Sequence, residues 1–528
     1  MAERFDAVVV GSGFGGSVLA CRLAAAGRSV LVLERGRRWP VAEYPSVSQA
    51  NWIYDPDEPE KQNGWIDMRF FRRMAVVQGA GVGGGSLVYA NVFIEAEPNA
   101  FDGGWPPEIT YDRLKPHYDM AGSMLATQEI PDEQLTERFK LVREGAQAVG
   151  HGARFRKLDL AVSFDPTWTY AQEDPHNPAK SKSFRNAEGM TQGTCIHCGN
   201  CDIGCPVRAK NTLDLNYLAK ATANGAEIRS LHTVRRLVPV DGGYRVDFER
   251  IVDGGRQPGF VTSAKVFIAA GSLGSTELLL RCRDEHGTLP NLSPRLGYGW
   301  CSNGDFLTPS VYSGREVSPT RGPTITGAIS FLDGTVGGER FFVQDGGFPD
   351  LLGNALEHVA SRNWMFHRVV SRIARTLTRL ARDRDPATAI MPWFGQAVDQ
   401  PVGQLKLRRR WLARDGFALK LRWDPKPSKA AVQALVEMHR KLSIQTGGIP
   451  LVPFTWTWMN YLVTPHPLGG CNMAASQDAG VVDHRGRVFG YDGLYVVDGA
   501  IIPRAIGLNP SRTITAVAEY IAELDLAA

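Results

Sequence analysis

Several features are missing from this 528-residue sequence, and each absence excludes a class of protein. Neither sign of charge is in excess, since 59 Lys and Arg residues stand against 55 Asp and Glu residues, so nucleic acid is not an expected partner. No apolar run is long enough to span a bilayer. The opening residues MAERFDAVVV lack the charged leader, apolar core and cleavage site of a signal peptide, so the expected location is cytoplasmic.

What the chain does have is length and glycine. Its length exceeds that at which single hydrophobic cores stop growing, which favours two domains or one large composite. Its 56 glycines are more than an average chain carries and indicate many tight turns or close backbone approaches. Because cytoplasmic thiols stay reduced, clustered cysteines in such a chain are more typical of metal ligands or redox groups than of disulfides.

A strand, a glycine turn and a helix are predicted at the N-terminus. Residues 6–10 (DAVVV) lead into residues 11–16 (GSGFGG), and a helical apolar pattern then ends at Gly27. The glycines permit the tight turn, the approach of a pyrophosphate and close helix packing. A second strand over residues 29–33 delivers Glu34 to the position where an acidic residue binds ribose hydroxyls, so the pattern predicts a dinucleotide site.

A second glycine-rich block, residues 79–91 (GAGVGGGSLVYAN), indicates a long ligand with two phosphate-type loops. This block resembles the flavin-side signature of the glucose-methanol-choline (GMC) oxidoreductase family. The resemblance implies that the cofactor is FAD, with the loop lying along the pyrophosphate and reaching the isoalloxazine ring.

The same resemblance extends over nearly the whole chain. Residues 226–238 are similar to the strand pair whose backbone meets the adenine, residues 266–280 to the family's second signature, and residues 493–499 with 509–513 to its C-terminal strand and helix. The cofactor contacts that the resemblance implies are Gly11, Gly13, Phe14, Gly15, Gly16, Glu34, Arg35, Gly79, Gly83, Gly84, Ser86, Asn91, Val234, Ala270, Gly271, Asp498, Gly499 and Pro510.

Within the family the likeness is greatest to the flavin-dependent cholesterol oxidases, through residues 466–471 (HPLGGC), 480–490 and 498–510. The implied fold class is α/β, with a Rossmann-like FAD-binding domain of the GMC type and a discontinuous α+β substrate domain that contains an antiparallel sheet. The expected FAD-binding segments are 1–95, 226–300 and 462–528. The expected insertion with the cysteine motif is 96–225, and the substrate-binding segment is 301–461.

The predicted reaction is the FAD-dependent oxidation of a secondary alcohol on a bulky apolar molecule, sterol-like or alicyclic. His466 resembles the family's catalytic histidine, and histidine is the side chain best matched to proton transfer near neutral pH. Asn509 is its expected partner and binds the alcohol oxygen. The hydride goes to flavin N5, and the electrons then pass to O2 or to an external acceptor.

A carboxylate that isomerises the steroid double bond is also expected of cholesterol oxidases, and here two outcomes stay open. Either Gln344 occupies that place and supplies no base, or Asp345 does and supplies one.

The stretch CIHCGNCDIGCP carries Cys195, Cys198, Cys201 and Cys205. Zinc fits this spacing poorly, and four free thiols in so short a stretch are exposed to oxidation. Bacterial ferredoxins hold an iron-sulfur cluster with the same spacing, so a 3Fe-4S or 4Fe-4S cluster is predicted, and it makes the enzyme a dehydrogenase.

Two other functions stay open, a ketone desaturase on the same flavin site and an electron-transfer flavoprotein that uses the cluster. Residues 364–382 place arginines at helical spacing, which is typical of peripheral membrane contact or of a simple solvated face.

Overall fold

The structure is a computed structural model that describes residues 3–40, 52–169, 177–253, 255–349, 388–409 and 416–527. The basic segment 364–382 lies outside these residues, so the predicted membrane contact is not addressed by the fold. None of the helices in the described ranges has the length and apolarity that crossing a bilayer requires.

The strands of these ranges are β1 (Arg4–Val10), β2 (Val30–Leu33), β3 (Ile66–Phe71), β4 (Met74–Gly79), β5 (Phe155–Lys157), β6 (Ser183–Arg185), β7 (Thr191–Gly193), β8 (Glu227–Arg229), β9 (His232–Val240), β10 (Gly243–Val252), β11 (Gly255–Ile268), β12 (Tyr298–Trp300), β13 (Phe306–Val311), β14 (Gly327–Val336), β15 (Glu339–Asp345), β16 (Ile390–Ala397), β17 (Gly403–Arg409), β18 (Phe417–Arg422), β19 (Ile449–Pro450), β20 (Leu462–Thr464) and β21 (Leu494–Val496). The α-helices are α1 (Phe14–Ala25), α2 (Tyr111–Met124), α3 (Glu137–Ala148), α4 (Tyr217–Ala223), α5 (Gly271–Leu280), α6 (Lys429–Gln445), α7 (Phe454–Met459) and α8 (Ser511–Leu526).

The N-terminal strand lies in the middle of a seven-stranded sheet. β1 pairs in parallel with β2 on one side and with β11 on the other, and β8 and β21 extend the parallel set. β9 and β10 add antiparallel strands at the far edge. β2 and the C-terminal half of β1 are buried, as their unbroken apolar sequences require, and α1 contacts both α4 and α8. This sheet is the predicted Rossmann-like unit.

A second, antiparallel sheet has the order β19-β13-β16-β15-β14-β5. Helix α6 covers it, with Leu435 and Leu442 fully buried, and ends just before Gly447. The mixed α/β class with an antiparallel sheet is thereby confirmed. β17 and β18 pair with each other in a separate three-stranded sheet with β12.

One large cavity, about 1000 Å³ in volume, is lined from both large sheets. Val10 and Leu33 at the carboxyl ends of β1 and β2 line one part, and Phe306 and Phe394 of β13 and β16 line another. Ligands of doubly wound sheets bind at the carboxyl ends of the parallel strands, so this cavity is the expected site. The predicted domain boundaries remain predictions.

Candidate functional site

The two glycine-rich loops lie directly against each other. A Cβ atom on Gly84 would lie 2.6 Å from the Cα atom of Gly13, so only a glycine allows this contact. Gly83 N donates to Ser12 Oγ at 3.1 Å, and Ser86 Oγ donates to Gly83 O at 2.7 Å. Gly83 therefore contacts the first glycine-rich loop and Ser86 contacts Gly83, and neither residue lines the cavity.

The glycines at the start of α1 have two different roles. A Cβ atom on Gly15 would lie 1.6 Å from Val497 O, because the helix packs closely against the chain that follows β21. Gly16 likewise packs on Gly11 O. Gly13, in contrast, has no atom within 4 Å of such a Cβ and faces the cavity, and no side chain caps the helix there. An uncapped helix N-terminus facing a cavity suits a pyrophosphate.

Glu34 is held firmly at the end of β2. Its Oε2 atom accepts from Ser12 N at 3.0 Å and its Oε1 atom from Gly36 N at 3.0 Å. Arg35 next to it forms an ion pair with Asp67 at 2.8 Å, and both Glu34 and Arg35 line the cavity. The carboxylate is therefore positioned for a ribose before any ligand arrives.

Asp498 occupies the N-terminus of α5. Its Oδ2 atom accepts from Gly271 N at 2.8 Å and from Ser275 Oγ at 2.5 Å, and Ala500 N donates to Oδ1. Burial raises the pKa of Asp498 to about 6. Asp498 already accepts from Gly271 N and Ser275 Oγ at the start of α5, whereas no side chain caps the start of α1. Of these two helix N-termini, α1 is therefore the one available to a phosphate.

These features fit FAD, which needs a long cavity, a phosphate cradle and a ribose acceptor. The predicted cofactor residues that line the cavity are Gly11, Gly13, Phe14, Gly15, Glu34, Arg35, Gly79, Gly84, Val234, Ala270, Gly271, Asp498, Gly499 and Pro510. Gly16, Gly83, Ser86 and Asn91 do not line it, and Asn91 lies in a second cavity described below.

At the other end of the cavity, His466 is paired with a buried aspartate. His466 Nδ1 lies 2.7 Å from Asp305 Oδ1, and Thr464 Oγ1 donates to Asp305 Oδ2 at 2.6 Å. The Asp305 side chain has no exposed surface, while His466 faces the cavity. A carboxylate at Nδ1 fixes the proton there and leaves Nε2 as an acceptor.

Asn509 lies beside that acceptor, with its Nδ2 atom 3.4 Å from His466 Nε2. The loop that carries Asp305 also positions Asn509, since Asn303 Oδ1 accepts from Gly507 N at 2.9 Å and Asn303 Nδ2 donates to Leu508 O at 2.8 Å. The structure therefore brings the two predicted catalytic side chains together at the cavity wall.

Gln344 and Asp345, the two alternatives for the place of an isomerising carboxylate, point to opposite faces of β15. Gln344 Nε2 donates to Asn509 Oδ1 at 2.7 Å. Asp345 faces away and accepts from Arg138 Nη1 and Thr326 Oγ1, and burial raises its pKa. Neither residue lines the cavity. Neither side chain therefore offers a base to the cavity, and the choice between the two alternatives stays a prediction.

The four cysteines of the CIHCGNCDIGCP stretch line a second, small cavity together with Asn91 and Lys210. His197 N lies 3.4 Å from Cys195 Sγ, and Ala209 N donates to Cys205 Sγ at 3.1 Å. Burial and the neighbouring sulfurs raise the pKa of the Cys195 and Cys198 thiols. Within the described ranges, no group of three or more His, Cys, Asp or Glu side chains is arranged to hold a metal ion.

A thin wall separates this cysteine cavity from the large one. Tyr89 and Ala90 line the large cavity and Asn91 the small one, while Asp202 and Ile203 of the cysteine loop line the large one again. Lys210 Nζ connects the segment before Tyr89 to the cysteine loop, because it donates to Leu87 O at 2.8 Å and to Cys201 O at 2.5 Å.

Asp305, Asn303 and Lys210 were not predicted from the sequence. Asp305 is 161 residues away from His466, and its short CSNGD context carries no local signal of catalysis. Only the tertiary fold pairs these side chains.

Comparison with known families places three matches on this chain. The GMC oxidoreductase family matches residues 176–285 and again residues 399–518, and an NAD(P)-binding Rossmann-like domain matches residues 9–40.

Similar proteins match nearly the full chain. A cholesterol oxidase of Acinetobacter baumannii is 31% identical over 534 residues, which cover 98% of this chain and 93% of that protein. A cholesterol oxidase of Mycobacterium tuberculosis is 31% identical, with 99% and 91% covered. A long-chain-alcohol oxidase of Arabidopsis thaliana is 24% identical, with 98% and 67% covered. The crystal structure of pyridoxine 4-oxidase from Mesorbium loti shares the fold, with a TM-score of 0.64, 16% identity and 98% of each chain covered.

Proposed function

The chain belongs to the GMC oxidoreductase family and is an FAD-dependent oxidoreductase acting on CH-OH groups, and on that premise we propose that it oxidises a secondary alcohol on a bulky, sterol-like or alicyclic substrate with His466 as the base. The observation that carries the proposal is the pair of His466 Nε2 and Asn509 Nδ2 at one point of the cavity wall, with Asp305 behind the histidine.

This pair suits removal of a hydroxyl proton. With its Nδ1 proton directed to Asp305, His466 accepts the alcohol proton at Nε2, and the buried carboxylate stabilises the imidazolium that forms. Asn509 Nδ2 donates to the alcohol oxygen. This hydrogen bond stabilises the negative charge that develops on the oxygen as its proton leaves. FAD, when bound by the residues of the glycine loops and Glu34, supplies the acceptor for the carbinol hydride.

The substrate class is supported by apolar side chains in the walls of the large cavity that also holds His466. These walls are largely apolar, and a bulky apolar alcohol gains free energy by burial against them. The residues concerned are Ile203, Phe306, Leu307, Ile325, Phe348, Phe394 and Leu462. The names of the similar cholesterol oxidases and of the long-chain-alcohol oxidase also point to apolar alcohols.

The test is to incubate the purified flavoprotein with cholesterol, with cyclohexanol and with a long-chain primary alcohol, and to identify the products by mass spectrometry. The proposal expects loss of two hydrogens from the cholesterol or cyclohexanol carbinol. No turnover of any alcohol, together with desaturation of cyclohexanone in a parallel incubation, would favour the desaturase instead. No turnover of either class while an electron carrier is still reduced would favour the electron-transfer flavoprotein.

We also infer that the four cysteines bind an iron-sulfur cluster that takes electrons from the flavin site to an external acceptor. The supporting observations are the shared cavity of Cys195, Cys198, Cys201 and Cys205, and the N–H groups that face two of the sulfurs.

Iron and sulfide analysis of freshly purified protein tests this inference. Iron and sulfide that are lost in Cys201→Ser but kept in Cys282→Ser, a change at a buried cysteine elsewhere, would support the cluster. Protein without iron that forms peroxide in stoichiometric amount with substrate would show an oxidase and overturn it.

A further inference from the structure

Four polar contacts run in series from the core of the antiparallel sheet to the reaction end of the cavity. Gln396 Nε2 donates to Gln344 Oε1 at 3.2 Å, and Gln344 Nε2 donates to Asn509 Oδ1 at 2.7 Å. Asn509 Nδ2 lies 3.4 Å from His466 Nε2, and His466 Nδ1 lies 2.7 Å from Asp305. Gln344 and Gln396 are fully buried, on the adjacent strands β15 and β16, and neither lines the cavity.

The direction of this chain is set at its carboxylate end. An ionised Asp305 only accepts, so His466 carries its hydrogen on Nδ1 and presents a lone pair at Nε2. That lone pair favours the NH₂ group of Asn509 over its oxygen. Asn509 Oδ1 then faces inward and requires a donor, which Gln344 supplies, and Gln344 Oε1 in turn accepts from Gln396.

The opposite orientation of Asn509 would work against the reaction. It would place Oδ1 against the lone pair of His466 Nε2 and against an alcohol oxygen that gains negative charge as its proton leaves. Two acceptors facing each other in a buried site are unfavourable, since neither is satisfied. A donor that holds Asn509 Oδ1 therefore holds Nδ2 toward the substrate.

We infer that Gln344 and Gln396 are positioning residues of the reaction, which fix the Asn509 amide so that its Nδ2 hydrogen faces the alcohol oxygen. The inference rests on the proposed function, because it assigns Asn509 to that oxygen.

Packing alone does not account for the two glutamines. Both amides are fully buried and share one face of the sheet with the apolar side chains of Phe342 and Phe394. Gln396 Oε1 is buried without a hydrogen-bond partner. A buried amide that is only partly satisfied costs stability, so apolar residues of similar size would suit the fold better. The arrangement makes sense if its benefit lies in the reaction.

Anaerobic stopped-flow reduction of the FAD-loaded enzyme by cholesterol, cyclohexanol and a long-chain alcohol tests the inference with Gln344→Met, which keeps the volume and removes the donor. We expect the limiting rate of flavin reduction to fall by about tenfold to a hundredfold, with a much smaller change in the apparent dissociation constant of the alcohol. The oxygen of the ketone product can only accept a hydrogen bond. The ketone should therefore bind the oxidised Gln344→Met enzyme less tightly than the oxidised wild type.

Gln344→Glu adds a readout that a structural role would not change. An ionised carboxylate cannot donate to Asn509 Oδ1, but a protonated one can. The ratio of the variant's reduction rate to that of the wild type should therefore rise as the pH is lowered. The matched control is Ser443→Ala, at a fully buried hydroxyl that is bonded to Ser310 of the same sheet and lines neither cavity, and this variant should reduce its flavin at the wild-type rate.

The outcomes separate the two claims. Wild-type flavin that no alcohol of the panel reduces overturns the proposed function, and the positioning role with it. Wild-type and Gln344→Met enzymes that are reduced equally fast, or a Gln344→Glu ratio that does not change with pH, overturn only the positioning role. A slow Gln344→Met enzyme with a pH-dependent Gln344→Glu ratio supports both.

Discussion

His466 directs its Nδ1 hydrogen to a carboxylate oxygen of Asp305 at 2.7 Å, and the Asp305 side chain is completely buried. The contact selects one tautomer of the imidazole and leaves Nε2 free to accept a proton inside the cavity. Asp305 is further fixed by the Thr464 hydroxyl, so its orientation does not depend on a ligand. The base of the proposed reaction is thus oriented by the fold before a substrate binds.

Replacing Asp305 with asparagine should impair the reaction without emptying the flavin site. The amide can turn its NH₂ group toward Nδ1 and so favour the wrong tautomer of His466, and it cannot stabilise an imidazolium. We expect flavin reduction by alcohol to slow by about a hundredfold or more, measured by stopped-flow absorbance. Glu519→Gln, at a buried carboxylate bonded to Arg22 and Tyr217 outside the cavity, is the control and should stay close to the wild-type rate. Equal rates in wild type and Asp305→Asn would refute the role of the carboxylate.

Gly13 and Gly15 offer a matched pair of alanine substitutions. Gly13 has a φ of −72° and open space around its Cβ position, so Gly13→Ala should fold normally but hinder the approach of the pyrophosphate. Gly15→Ala would place a methyl group 1.6 Å from Val497 O and should destabilise the fold itself. Flavin content and the thermal unfolding midpoint, measured on both proteins, check this. Full flavin content in Gly13→Ala would contradict the assigned phosphate position.

Asp345 is expected to act on stability and not on catalysis. Its carboxylate compensates the fully buried guanidinium of Arg138, at 3.2 Å, and accepts two backbone N–H groups. Asp345→Asn removes the charge and should lower the free energy of unfolding by about 3–5 kcal/mol. Urea denaturation measures this loss. A stable variant with altered flavin reduction by alcohol would mean that Asp345, after all, takes part in the reaction.

Asp399 should make stability depend on pH. Burial raises its pKa to about 7, above the usual value of 3.8. Between these two values the folded protein keeps a proton that the unfolded chain releases, so this group lowers the free energy of unfolding as the pH rises through that window. In Asp399→Asn that part of the pH dependence should disappear. Urea denaturation at several pH values compares the slopes, and equal slopes would show that Asp399 does not titrate in this range.

Much of the cofactor end could be predicted from the sequence because its signals are local. A strand, the glycine turn at residues 11–16 and a helix follow one another directly, and Glu34 ends the next strand. The spacing of the four cysteines likewise gave their common cavity. In both cases neighbouring residues form the feature, so the chain carries the pattern in one place.

The reaction end could be predicted only in part. His466 and Asn509 stand in recognisable contexts, but Asp305 reaches His466 across 161 residues and Gln344 reaches Asn509 across 165. Such pairs depend on how β13, β15 and the C-terminal loops pack, which no short pattern records. For the same reason only the fold shows that Gln344 and Asp345 have different partners, since adjacent strand residues point to opposite faces.

The most direct test of the account is anaerobic flavin reduction by cholesterol in the wild type and in His466→Asn, with flavin content confirmed in both. The account predicts rapid bleaching of the wild-type flavin absorbance and a loss of about a hundredfold or more in His466→Asn, with His484→Gln, a change at a histidine outside the cavity, matching the wild type. A wild-type flavin that stays oxidised with cholesterol and with cyclohexanol would contradict the proposed substrate class. Reduction of His466→Asn at the wild-type rate would contradict the central claim that His466 is the base.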